Sequence, residues 1–132
     1  MITALDTSVI LDVITDDPSH AIRSLKAIRR ASESGSIVIC ECVLAEVRPA
    51  LTNEETEQLL ADWNIVFKPS TKESSLHAGA MYQAYLKRNK RLGRVLPDFL
   101  IGAHAKLQCD RLLARDRGYY RDYFEGLELI EP

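Results

Sequence analysis

Short apolar runs alternate with helix-periodic segments from one end of this chain to the other. Ile2-Thr3-Ala4-Leu5 reads as a buried strand that ends at Asp6. Asp6, Thr7 and Ser8 are good helix-entry residues. Asp16-Asp17-Pro18-Ser19 is a break, after which Ala21, Ile22, Leu25 and Ile28 recur at helical spacing until Gly35. Ile37-Val38-Ile39-Cys40 is a second β-branched strand. A short helix carries Val43, Leu44 and Val47 and is limited by Pro49. A further helix starts at Thr52-Asn53-Glu54-Glu55, and Ile65-Val66-Phe67 is a third strand stopped at Pro69. The long segment Lys72 to Arg91 reads as helix, Leu92 to Leu96 as a loop containing Gly93, and Asp98 to Gln108 as an apolar helix. Arg111 to Arg115 is a fourth strand, Tyr119 to Phe124 a helical turn, and Leu127 to Ile130 a last edge strand. Strands separated by helices cannot pair through tight hairpins. They build a parallel sheet of four to five strands with helices on both faces, an α/β/α sandwich. No linker or internal repeat divides residues 1–132, so the expectation is a single domain.

Open parallel sheets gather their working residues at the carboxyl ends of strands. Four carboxylates stand where such a sheet collects them: Asp6, Glu46, Asp98 and Asp116. Asp6 closes the first strand and Asp116 follows the run Leu112-Leu113-Ala114. Glu46 lies in the helical run Val43–Val47, and Asp98 opens the helix that leads into the fourth strand. Taken singly, each has an ordinary alternative. Asp98 would be a helix cap, Glu46 a solvated or salt-bridged helix residue, and Asp116 a turn residue. As a set they would repel one another without a cation, and hard oxygen donors suit Mg²⁺ or Mn²⁺. That points to metal-assisted phosphoryl chemistry. Hydroxyls at Thr7 and Ser8 are placed to orient a carboxylate or a metal-bound water.

Charge and cysteine usage exclude some alternatives. A formal net charge of -2 argues against a protein that grips nucleic acid over its whole surface. Three cysteines close no disulfide framework, and Cys40-Glu41-Cys42 is too tight for the usual zinc pair. They read as reduced thiols in a cytoplasmic protein. No apolar run is long enough to span a bilayer and no signal peptide is visible, so no membrane association is expected.

The order of these pieces resembles the PIN-domain ribonucleases, specifically the VapC-type toxins. The pieces are Leu5-Asp6-Thr7-Ser8-Val9-Ile10-Leu11-Asp12, Leu44-Ala45-Glu46-Val47, Leu96-Pro97-Asp98-Phe99-Leu100-Ile101-Gly102-Ala103-His104-Ala105 and Leu112-Leu113-Ala114-Arg115-Asp116-Arg117. The resemblance implies a three-layer PIN-like fold and Mg²⁺- or Mn²⁺-dependent endonucleolytic hydrolysis of RNA. It also implies a homodimer inhibited by a cognate antitoxin. Asp6 and Asp98 would be the main direct metal ligands, with Glu46 and Asp116 completing the acidic pocket. Asp12, within the first motif, reads as structural. Ala114 stands where the family often has Thr, and His104 where it often has a small residue.

Other functions remain open at this point. One is a non-catalytic PIN-like module that binds RNA or protein, although all four acidic positions are filled. Another is a phosphotransfer enzyme on a different doubly wound sheet, but Ser8 stands where a dehalogenase-like phosphatase would want a second Asp. Lys87, Arg88, Lys90, Arg91 and Arg94 form a dense basic stretch that would contact RNA phosphates or simply solvate a helix end. His20, His77 and His104 lack metal-ligand spacing. Tyr82, Tyr85, Tyr119, Tyr120 and Tyr123 read as packing residues more than as base-stacking ones.

Overall fold

The computed structural model describes residues 1–89, 95–115 and 118–132, the side chains of Asn89 and Tyr119 excepted. Five parallel strands form one sheet in the order β3-β2-β1-β4-β5. They are β1 (Ile2–Leu5), β2 (Ser36–Ile39), β3 (Ile65–Phe67), β4 (Arg111–Leu113) and β5 (Glu128–Ile130). The helices are α1 (Thr7–Ile14), α2 (Ala21–Glu33), α3 (Glu41–Val47), α4 (Asn53–Asp62), α5 (Lys72–Asn89), α6 (Leu96–Gln108) and α7 (Gly118–Tyr123). A 3-10 turn, Arg48–Ala50, follows α3.

β1 lies at the centre, and its register pairs Ala4 with Val38 of β2 on one side and Leu112 of β4 on the other. From β1 the chain moves outward through β2 to β3, then returns past β1 to β4 and β5. Right-handed crossovers in these two directions put α1 and α2 on one face and α5 and α6 on the other. With both faces covered, Thr3, Ala4, Leu5, Ile37, Val38 and Ile39 are all buried. The polar member, Thr3, is satisfied because its Oγ1 accepts from Arg111 Nε at 2.9 Å.

Local chemistry sets the ends of the elements. Asp6 caps α1, accepting from the Ser8 amide at 3.1 Å. Thr52 and Glu55 form a reciprocal capping box on α4. Gln108 clasps the start of α5 to the end of α6. Its Oε1 accepts from Ser74 Oγ at 2.7 Å and the Thr71 amide at 3.0 Å, and its Nε2 donates to the Pro69 carbonyl at 3.1 Å. The two helices therefore run antiparallel, which puts the start of α6, with Asp98, at the opposite end from this clasp.

Some boundaries differ from the sequence reading. α6 begins at Leu96, with Pro97 in its first turn, so Asp98 is not the cap. β4 stops at Leu113 rather than Arg115: the Ala114 amide still donates to the Ile130 carbonyl, but the Arg115 side chain turns to Asp12. Residues 90–94 and 116–117 lie outside the described residues. They include Asp116, Lys90, Arg91, Leu92, Gly93, Arg94 and Arg117. Among the described residues, no helix is long and apolar enough to cross a membrane.

Candidate active site

The central strands deliver the first carboxylate. The Asp6 amide remains in the ladder, donating to the Leu113 carbonyl at 2.9 Å, so the residue is fixed where β1 and β4 end. The residue is 6% exposed, too buried for a bare carboxylate to persist without partners. Three groups supply them. Ser8 Oγ donates to Asp6 Oδ2 at 2.5 Å, in addition to the Ser8 amide, and Tyr120 Oη donates to Oδ1 at 2.6 Å. Ser8 Oγ itself accepts from the Arg115 amide at 3.2 Å, which ties the loop after β4 to the same point.

The second carboxylate arrives on α6. Asp98 lies in the first turn, and Tyr120 Oη is 3.5 Å from its Oδ1. Asp6 and Asp98 thus converge on one hydroxyl from opposite ends of the sequence. The third lies on α3, which packs against both α1 and α6. Glu46 is exposed, and its Oε1 accepts from Thr7 Oγ1 at 2.7 Å. Of the two hydroxyls flagged beside Asp6, Ser8 orients Asp6 and Thr7 orients Glu46. The fourth carboxylate, Asp116, lies outside the described residues.

Neighbouring groups register the clustered negative charge. Burial, then the charge of Asp6 and the hydrogen bond to it, raise the Tyr120 phenol well above its ordinary pKa, and Asp98 and Glu46 add to the effect. Tyr120 is therefore a fixed donor at neutral pH. Burial, then the charge of Glu46, pushes the Cys42 thiol up to about 12, with Asp98 among the further contributors. Its Sγ rests 3.9 Å from the Pro97 carbonyl.

Tyr120 packs in the core, as the sequence suggested, but its hydroxyl also reaches the site, which the sequence reading did not foresee. The signal lay in two matched spacings. Asp98 and Gly102 stand four apart on α6, and Tyr120 and Phe124 stand four apart at the end of the chain. A Cβ on Gly102 would lie 2.5 Å from the Phe124 ring, so that ring sits directly on the glycine. Seating Phe124 there carries Tyr120, one turn earlier, over Asp98. Tyr82, Tyr85 and Tyr123 do pack, around Phe99, at ring-centroid distances of 5.6, 5.5 and 5.2 Å.

Asp12 is structural, as its position one helical stretch beyond β1 suggested. It is 3% exposed and holds Arg115 through two bonds of 3.0 Å, while Ser24 Oγ donates to it at 2.8 Å. Asp12, Asp17 and His20 are the one group of three ligand-type side chains drawn within 4.8 Å among the described residues. With Asp12 committed to Arg115 and Ser24, and Asp17 within 3.1 Å of His20, the group's side chains are already engaged with protein partners. His104 is buried, its Nε2 lies 2.7 Å from the Lys68 carbonyl, and burial lowers its pKa. It is a neutral donor that fastens α6 to the end of β3. Of the basic stretch, Lys87 and Arg88 are exposed, with the Arg88 guanidinium 5.7 Å from the Tyr123 ring centroid.

Comparison with known proteins bears on family and fold. The family model of the PIN domain matches residues 3–124. Among solved structures, VapBC2 from Rickettsia felis, bound to a DNA fragment from its promoter, is similar with a TM-score of 0.70 and 20% identity, covering 99% of this chain and 98% of that one. DNA-bound VapBC from Salmonella typhimurium gives 0.69 and 14%, with coverage of 99% and 98%. FitAcB from Neisseria gonorrhoeae gives 0.63 and 19%, with coverage of 98% and 96%. No curated protein matches the chain in sequence.

Proposed function

Because the chain belongs to the PIN-domain family, we propose that it is a metal-dependent endoribonuclease and the toxin of a type II toxin–antitoxin pair. One observation carries this reading: Asp6 and Asp98 meet at the Tyr120 hydroxyl, where the central strands end and α6 begins. The donors gathered there are carboxylate and hydroxyl oxygens, hard ligands that fit Mg²⁺ or Mn²⁺ and disfavour softer metals. Asp6 and Asp98 would hold the ion directly, and Glu46 and Asp116 would complete its surroundings directly or through water. Such an ion, when bound, supplies the Lewis acidity that makes water a nucleophile at neutral pH and offsets charge building on the phosphoryl group.

The chain's own groups prepare that chemistry. Ser8 and Tyr120 lock the Asp6 carboxylate from both sides, so it does not have to reorient on binding. Thr7 fixes Glu46 at the rim. Lys87 and Arg88, with Lys90, Arg91 and Arg94, would hold RNA phosphates and position the strand without reading its sequence. The solved VapBC and FitAcB complexes support a cognate antitoxin as the protein partner, and the resemblance to VapC-type toxins supports a homodimer.

The test is RNA cleavage by antitoxin-free protein in Mg²⁺, Mn²⁺ or EDTA. Asp6→Asn and Asp98→Asn run in parallel, with far-UV circular dichroism to establish their folding. Metal-dependent cutting that both folded variants lose is the expected result. Cutting that survives EDTA or either substitution refutes the proposal. RNA binding without cutting moves the assignment to a non-catalytic module.

A further inference from the structure

We propose that Tyr120 is a positioning residue of the metal centre, its hydroxyl setting the orientation of the Asp6 carboxylate beside Asp98. The inference rests on the metal-centre reading above and adds a residue that is neither acidic nor a ligand. A buried carboxylate beside a second negative charge would turn away from it unless a donor held its orientation. Asp98 stands on a helix and Asp6 at a strand end, so no shared backbone fixes their distance. The Tyr120 hydroxyl donates to Asp6 Oδ1 at 2.6 Å and lies 3.5 Å from Asp98 Oδ1, so it fixes the Asp6 carboxylate on the side that faces Asp98. The shorter bond is the one that takes its single proton.

The tyrosine is itself held firmly. It is 3% exposed, and the Phe124 amide donates to its carbonyl at 3.1 Å, which fixes the turn between them. Phe124 is 1% exposed, lies over Gly102, and faces the rings of Phe99 and His77 at 6.0 and 5.8 Å. The hydroxyl is therefore placed by packing on α6, the same helix that carries Asp98. A displacement of the chain's last helix would be felt at both carboxylates together.

Tyr120→Phe removes the hydroxyl and leaves the ring. Mn²⁺ affinity of the antitoxin-free protein is read by electron paramagnetic resonance of the free ion, with metal-free melting temperature and the Mn²⁺ dependence of RNA cleavage alongside. Tyr123→Phe, in the same aromatic cluster, is the control. Loss of an outer partner of this kind weakens metal binding about 10–100-fold, so the Mn²⁺ titration of Tyr120→Phe is displaced by that factor. Cleavage at saturating Mn²⁺ returns to within a few-fold of wild type, and Tyr123→Phe titrates as wild type. A folded Tyr120→Phe with unchanged or tighter Mn²⁺ binding overturns the inference. So does a variant that only unfolds, since a packing role alone would explain it. If wild type binds no Mn²⁺ and matches Asp6→Asn, the metal-centre reading fails and takes this one with it. A wild type that binds well beside an equally tight Tyr120→Phe isolates the failure to Tyr120.

Discussion

Gly102 offers the sharpest test of how this site is assembled. An added Cβ would lie 2.5, 2.7 and 2.9 Å from three atoms of the Phe124 ring, where ordinary contact begins about an ångström further out. The ring has no room to retreat, because it is 1% exposed and backed by Phe99 and His77. Overpacking of a rigid core costs about 1–3 kcal/mol, and the rigidity here argues for the upper end. Alanine recovers about 1 kcal/mol of helix propensity in the middle of α6. The balance is a Gly102→Ala variant less stable by about 2 kcal/mol, with a melting temperature lower by roughly 5–8 °C for a domain of this size. Urea unfolding followed by circular dichroism measures it. Phe124→Leu in both backgrounds completes a double-mutant cycle, and it should cost less in the alanine background because the clash partner is removed. A Gly102→Ala protein as stable as wild type, or a cycle with no coupling, would refute the claim that α7 docks through this notch.

Three other outcomes follow from the same physics. Asp12→Ala orphans the buried Ser24 hydroxyl and releases Arg115, whose own partial exposure limits the loss, so unfolding free energy should fall by about 1–3 kcal/mol; a change below 0.5 kcal/mol in urea melts, roughly the level of a neutral surface substitution, would contradict the structural role. Because burial lowers the pKa of His104, the unfolded chain binds its proton first as pH falls through about 6.5, so this contribution is complete above that pH and is lost below it at up to about 1.4 kcal/mol per pH unit. Wild type should therefore lose stability more steeply than His104→Gln between pH 7.5 and 5.5, and matching slopes would show that the imidazole is not held neutral. With Cys42 raised to about 12 and Cys109 to about 11, and Cys40 raised by burial, the native thiols should react far more slowly with Ellman's reagent at pH 8 than the same thiols in urea; equal rates would mean that the burial is not as described.

The sheet was legible because its signals are local. β-branched runs bounded by Gly35 and Pro69 mark β2 and β3, and each strand falls within or beside the run that announced it. The placement of Asp6 at the end of β1 followed from periodicity alone. The start of α6 was harder, because it is set by Pro97 and not by a polar cap at Asp98. Arg115 could be read as part of a strand, since nothing nearby in sequence announces the pairing with Asp12. Tyr120 packs in the core as its sequence suggested, but the contact of its hydroxyl with Asp6 was hidden for the same reason. A tyrosine beside Tyr119 and Tyr123 reads as packing, and only the register of α7 on α6 separates the one whose hydroxyl reaches Asp6. Spacing four on each segment was visible, but the fact that the two spacings face each other is a tertiary property.

The central position of β1 bears on when a growing chain becomes competent. β1 can pair with β2 as soon as residues 36–39 are made, yet its other edge waits for residues 111–113, and the Asp6 carboxylate waits for Tyr120. Pairings across such long separations close slowly, and no earlier segment substitutes for them. A ribosome can therefore synthesise most of this polypeptide while the proposed metal site does not yet exist. For a chain proposed to cut RNA, that ordering protects the machinery that makes it: a product broken off before the fourth strand carries Asp6, Glu46 and even Asp98, but lacks the strand and the hydroxyl that bring them into one place.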